Sequence, residues 1–241
     1  MKTIISGRIL TYDEENRIIS IRFREHIRFY YIQRSLLNRI SKFIDIDRFI
    51  QFTVTEESRI YHNVKVQTVD YIVKIMEIRY RKNIVYYDIK DIKKGTKKLV
   101  NNLDYKMLLD LEMSMHPYTV DRSFTQEIIQ VGYLLLDKQD NVVEKYNEVI
   151  QPTIHKKLTK RTLKFLEITQ EDVDNGMNFT TFYSHFKEVL DTYDPAIIVW
   201  CRNDFLALKD AYKINKVPSL HLKARYINLL KLHKNYYNLK N

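Results

Sequence analysis

Two kinds of hydrophobic spacing follow one another along the chain. In the first part, "IISGRILTYDEENRIISIRF" puts strand-prone apolar stretches on either side of the polar turn "DEEN", which predicts a β-hairpin. "FIQFTVTEESRIYHNVKVQTVDYIVKI" repeats the scheme, with turns expected near "EES" and "HN". Between them, "YYIQRSLLNRISKFI" spaces Ile32, Leu36, Leu37, Ile40 and Ile44 as one face of a helix. Strands with a single inserted helix suit a small β-rich barrel, with the oligonucleotide-binding (OB) fold as one candidate. The basic, glycine-marked stretch "DIKDIKKGTKKLVNNLDYK" holds the best candidate boundary, near residues 95 to 103.

Beyond it the pattern changes to alternating strands and helices, the mark of a layered α/β domain. "YKMLLDLEMS", "EIIQVGYLLLD" and "VVEKYNEVIQP" read as strands, the last two separated by "KQDN". "LTKRTLKFLEI" reads as a short helix, and Thr169 with Asp172 three positions on forms a capping box for another. Phe179, Phe182, Phe186, Val189, Leu190 and Tyr193 recur at helical spacing, so their helix should lay an aromatic stripe on the sheet. "PAIIVWC" is a buried strand that feeds the helix "NDFLALKDAYKIN". The expected organisation is a β-rich module over residues 1–98 and an α/β domain over residues 99–241.

Composition narrows the classes. The chain has 241 residues, 45% of them hydrophobic, with four Gly and four Pro, which describes an ordered protein with real cores. No run of about 18 uncharged apolar residues occurs, and the first residues lack a signal-peptide segment, so a cytoplasmic protein with no membrane partner is expected. A single cysteine, Cys201, excludes an internal disulfide and a Cys-based zinc site. Charge is uneven: residues 1–98 carry 21 Lys and Arg against 12 Asp and Glu, and the rest 19 against 18. Nearly all of the +10 net charge therefore lies in the first module, which suggests a polyanion partner, although a basic face is often a solubility device. Arg22, Arg24, Arg28, Phe29, Tyr30, Tyr31 and Arg34 interleave cations with aromatics, a composition suited to phosphates and bases, and equally to a core.

The sharpest chemical signal is Asp110 and Glu112. Residues two apart on a strand share a face, so the two carboxylates should lie together while Leu109 and Leu111 face the core. Paired carboxylates repel, and a divalent cation offsets that repulsion while gaining oxygen ligands. A strand end running into solvent would also tolerate them.

Taken in order, these elements resemble the DEDD superfamily of 3′–5′ exonucleases, whose fold is ribonuclease-H-like. "LLDLEMS" is similar to its first motif, an Asp-x-Glu on the first strand, and "EIIQVGYLLLD" to the strand that follows. "IQPTIHKKLTKRTLKFLEITQEDVDNGMNFTTFYSHF" resembles the helical region after the third strand, and "IIVWCRND" the second motif. "ARYINLLKLHKNYYNLKN" resembles a subgroup that includes bacterial sporulation-inhibitor-like and animal histone-mRNA-type enzymes. The similarity runs over residues 104 to 241. It implies an α/β exonuclease domain with a mixed sheet, in which Asp110, Glu112 and Asp204 hold Mg2+ or Mn2+ and carry catalysis. Leu111 and Met113 would lie near the terminal nucleotide of a single-stranded RNA or DNA; Arg22, Arg24, Arg28, Tyr30 and Arg34, outside the resemblance, are expected as further nucleic-acid contacts from their interleaving of cations and aromatics. Asp204 could alternatively cap its helix beside Asn203, and Leu111 and Met113 could be core.

One departure counts against full activity. The family's third motif, of the DEDDh type, has a general-base His followed at short spacing by a fourth metal-binding Asp, farther beyond the second motif than Asn241 lies. His233 has Asn238 where that Asp would fall, and is read as an exposed helix residue; His116 is a loop histidine near the first motif. The chain is therefore expected to be a truncated exonuclease of impaired activity, with a non-catalytic nucleic-acid-binding protein or a gene fragment as the alternative.

Overall fold

The computed structural model describes all residues except 1–3, 24, 62, 81, 119–123, 221–224, 238 and 240–241. The chain divides into two compact units, residues 1–98 with 233–241, and residues 99–232.

The first unit is a closed barrel. Strands β1 (Ile4–Asp13), β2 (Ile18–Phe23) and β3 (His26–Tyr31) form an antiparallel meander; helix α1 (Arg34–Ile40) then leads to the long hairpin of β4 (Phe49–Tyr61) and β5 (Val64–Glu77). β4 pairs with β1, and β5 pairs in parallel with β3, which closes the five strands into the OB topology. β6 (Ile84–Asp88) adds to the far end of β5. Ile32, Leu36, Leu37, Ile40 and Ile44 are all buried, so the predicted helical face plugs the barrel, where Ile9, Ile21, Ile50, Phe52 and Ile72 fill the interior. The "DEEN" turn forms because the Asp13 carboxylate accepts from the Asn16 backbone N–H at 2.9 Å. "EES" is not a turn. β4 runs through it with a register shift between Val54 and Ser58, a bulge of the kind that bends a strand enough to close a barrel. Helix α2 (Ile89–Asn101) follows β6 and buries no side chain.

In the second unit, β7 (Lys106–Met113), β8 (Ile128–Leu136) and β9 (Val142–Gln151) form an antiparallel meander. Helices α3 (Lys160–Leu166) and α4 (Gln170–Asp174) and the short strand β10 (Met177–Asn178) lead to α5 (Phe179–Tyr193). Then come β11 (Ala196–Val199), α6 (Asn203–Ile214), β12 (Arg225–Asn228) and α7 (Leu229–Tyr237). The sheet order is β10-β9-β8-β7-β11-β12, with β11 and β12 parallel to β7, so the mixed sheet of a ribonuclease-H-like domain is present. The α5 stripe of Phe179, Phe182, Phe186, Val189 and Leu190 packs with Leu208 and Tyr212 of α6 against the core face of this sheet. Thr169 and Asp172 form the expected capping box of α4. Close packing shows at Gly176, where an added Cβ would stand 2.8 Å from the Val149 carbonyl oxygen.

Candidate active site

Alternation along β7 separates its residues as the sequence implies: Leu109 and Leu111 are buried, Asp110 is exposed and Glu112 half-buried on the other face. Backbone pairing sets where a third acid can join them. β11 pairs with β7 only as far as Leu108, so β7 continues past it with that edge unpaired. The open N–H of Leu111, between the two acids, donates to Asp204 Oδ1 at 3.1 Å. Asp204 lies in the first turn of α6, is only 6% exposed, and does not cap the helix: the N-cap is Arg202. A buried carboxylate on α6 is thus fixed to the backbone of the strand that carries Asp110 and Glu112.

The three acids act on one another. Burial raises the Glu112 carboxyl above its ordinary range, and the charges of Asp110 and Asp204 raise it further. Burial raises that of Asp204 too; its own N–H and that of Leu111 oppose the shift, and the charge of Asp110 adds to it. Among the described residues no Lys or Arg forms an ion pair with any of them. Nor, among the described residues, do three His, Cys, Asp or Glu side chains close around a common metal position, so the cluster is open. Its donor set, all carboxylate oxygens with uncompensated charge, fits a hard divalent cation.

The other predicted residues separate by face. Leu111 has its side chain in the core and offers only backbone, and Met113 is half-buried against that core. His233 is half-buried and packs on Tyr237 at 4.8 Å between ring centroids, so it is not the exposed residue expected; His116 packs on Phe124 at 4.6 Å. In the barrel unit, Arg22, Arg28 and Arg34 are exposed, and Arg24 lies outside the described residues. Tyr30 corrects the expectation of base stacking: it is 1% exposed and packs edge-on to Phe52 inside the barrel. Its neighbour Phe29 points outward, and with Arg28, Ile27 and Lys65 it lines a groove of ≈ 690 Å³ along the β3–β5 seam. Composition could not show a second cluster, because its members are far apart in sequence. Arg17 and Arg59 stand 5.2 Å and 4.7 Å from the centre of the Tyr31 ring, and Arg17 Nη2 donates to the Tyr61 hydroxyl at 3.1 Å, which pulls that phenol below its ordinary value.

A mixed sheet with an acidic cluster at the end of its first strand, preceded in the chain by a small closed barrel, defines a ribonuclease-H-like exonuclease domain. A family model described as an exonuclease of the RNase T type matches residues 107–239, and the chain belongs to that family, within the DEDD 3′–5′ exonuclease superfamily. A curated relative, "Probable 3'-5' exonuclease KapD" of Bacillus subtilis (strain 168), is 34% identical over 113 residues, 46% of this chain. The chain spans 55% of that relative's length. The nuclease domain of 3'hExo, a DEDDh family member solved bound to rAMP, superposes with a TM-score of 0.53 at 18% identity, covering 58% of this chain and 73% of that one. A 3'-exonuclease solved in recognition of the histone mRNA stem-loop gives 0.52 at 18% identity, over 57% and 64% of the two chains. Cell-death related nuclease 4 gives 0.50 at 22% identity, over 58% and 50%. Enzymes of this type are generally dependent on divalent metal ions.

Proposed function

We propose that the protein is a 3′–5′ exonuclease that removes nucleotides from the end of single-stranded RNA or DNA with Mg2+ or Mn2+ at Asp110, Glu112 and Asp204. The observation that carries this reading is the bond from the Leu111 N–H to Asp204 Oδ1, which gathers three carboxylates at one strand end. When bound, a pair of divalent ions activates water and stabilises the leaving 3′ oxygen. Asp110 and Glu112 present oxygens from one face of β7, and Asp204 is oriented before any ligand arrives. Burial of Asp204 and partial burial of Glu112 strengthen their attraction for a cation by excluding water. The exposed barrel residues Arg22, Arg28 and Arg34, with Phe29, would hold the strand by phosphate contact and stacking.

The test is metal-dependent release of nucleoside 5′-monophosphates from 5′-labelled single strands, compared with Asp110→Asn. Shortening that needs metal and vanishes in the variant supports the enzyme. The second reading, a non-catalytic nucleic-acid-binding protein, is favoured by the basic charge of the barrel, 21 Lys and Arg against 12 Asp and Glu in residues 1–98. Tight binding without shortening at any metal concentration would establish it in place of the first.

A further inference from the structure

Residues that pair across strands share a face, and on the outer face of the barrel one such group is covered. Ile18 stands opposite Tyr31, Phe29 opposite Val66, and Arg59 and Tyr61 opposite Val66 and Val64. With Tyr30 inside the barrel, its neighbours Phe29 and Tyr31 point outward. Phe29 is exposed, yet Tyr31 is only 7% exposed, and with Ile18 and Val66 it makes a small buried cluster separate from the barrel interior. The barrel does not need this second core to close. Two observations about its cover point to a ligand.

The first is charge. Arg17, Arg59 and Tyr61 form the cover: the two guanidiniums stand 5.2 Å and 4.7 Å from the centre of the Tyr31 ring, and the centre of the Tyr61 ring lies 4.5 Å from it. Among the described residues neither arginine is in an ion pair. Two cations held over one ring without an acid repel each other, and a phosphate relieves that repulsion while accepting hydrogen bonds from both.

The second is how the cover is fastened. Arg17 Nη2 donates to the Tyr61 hydroxyl at 3.1 Å, a bond that joins the start of β2 to the end of β4 across the end of β3. Arg17 has φ 58°, a left-handed backbone that Gly or Asn adopts more readily, and its carbonyl accepts from the N–H of Ile32 at 2.9 Å. The backbone is thus fixed, while the long side chain crosses the face to a neutral acceptor. A phosphate oxygen carries charge where a phenol carries none, and guanidinium pairs with phosphate in a bidentate way, so Arg17 gains by exchanging one for the other.

We propose that the Arg17–Tyr61 bond is a latch over the strand-holding face of the barrel: the phosphates of an incoming single strand draw Arg17 and Arg59 away from the tyrosines, and Tyr61 then moves off Tyr31 so that a base stacks there. Phe29, on the same face two residues earlier, offers the next ring. This rests on the reading of the barrel as the surface that holds a single strand, and extends it: part of that surface is shut in the free protein and is opened by the ligand itself.

The experiment is binding of a fluorescein-labelled single strand to the full chain, without divalent metal, followed by anisotropy over a salt series. Tyr61→Phe keeps the ring and loses one hydrogen bond, so it should bind about two- to tenfold more tightly, because the open form becomes more populated. Its salt slope should match the parent's, since the phosphate contacts are the same. Arg59→Gln, at an exposed position, should bind more weakly and flatten the slope by about 0.7, one single-strand phosphate contact. A bond that merely braces the fold predicts no gain in Tyr61→Phe; that result, or an Arg59→Gln slope equal to the parent's, would overturn the latch. Weakened binding in Arg22→Gln/Arg34→Gln alongside it would show that the barrel still holds the strand and only the latch is wrong. Binding that none of these variants alters, or that salt does not weaken in the parent, would overturn the barrel reading and the latch with it.

Discussion

Asp204 is where stability and function are opposed. Burial raises its carboxyl and that of Glu112 above the values they have in the unfolded chain, so ionising them costs folding free energy: the cost is absent below the unfolded values, grows as pH rises from there to the raised folded values, and is complete above them. Asp204→Asn keeps an oxygen for the Leu111 N–H and removes one of three mutually repelling charges. In EDTA at neutral pH the variant should melt a few degrees above the parent, with the gap closing as pH falls through the raised carboxyl range. Calorimetric titration with Mn2+ should show its affinity reduced at least tenfold. A variant that melts below its parent in EDTA would mean that the acid is stabilising as an ion, contrary to its surroundings.

Packing makes the separate elements into a support for these residues. Phe182 is fully buried among Phe179, Phe186 and Tyr146, and Phe182→Ala should cost about 3–5 kcal/mol in denaturant unfolding. The capping box of α4 is smaller in scale, and Thr169→Ala should cost about 1 kcal/mol. Gly176→Ala forces a Cβ against the Val149 backbone, which has no flexible end to give way, so a loss of about 1–3 kcal/mol is expected at this turn. Glu127 holds backbone from three consecutive residues, and replacing it with Leu should cost more than any of the exposed lysines while leaving Asp110 and Glu112 untouched.

Across the molecule, charge is distributed by unit: the barrel carries nearly all of the excess, and residues 99–241 are nearly balanced, with 19 Lys and Arg against 18 Asp and Glu. Binding of single strands by the full chain should therefore fall steeply as salt rises, because phosphate neutralisation releases counterions. Asp110→Asn should leave that slope unchanged, while Arg22→Gln/Arg34→Gln should flatten it by about 1.4, measured by fluorescence anisotropy over a salt series. A slope near zero in the parent would reduce the basic barrel to a solubility feature. No helix among the described residues is long and apolar enough to cross a membrane.

Local periodicity was enough to identify most elements here, because a period of two or of 3.6 depends only on neighbouring residues. For the same reason Asp110 and Glu112 could be placed on one face of β7 from sequence alone, and Ile32 through Ile44 on one face of α1. Alternation also misled where it was not applied: Phe29 and Tyr30 are adjacent, so one had to point out of the barrel and the other in, and only the closed barrel decided which. "EES" carried turn chemistry but became a bulge, since β4 had to bend while staying paired to β5. Asp204 could be matched to a motif, but its bond to Leu111 exists because β7 outruns β11, a property of two strands far apart in the chain. The link from Met115 to Thr159 and Thr162 spans more than 40 residues and had no local signal at all. Sequence determines how each side chain points relative to its own element; which elements become neighbours, and so which charges share a site, is decided by the packing of the whole core.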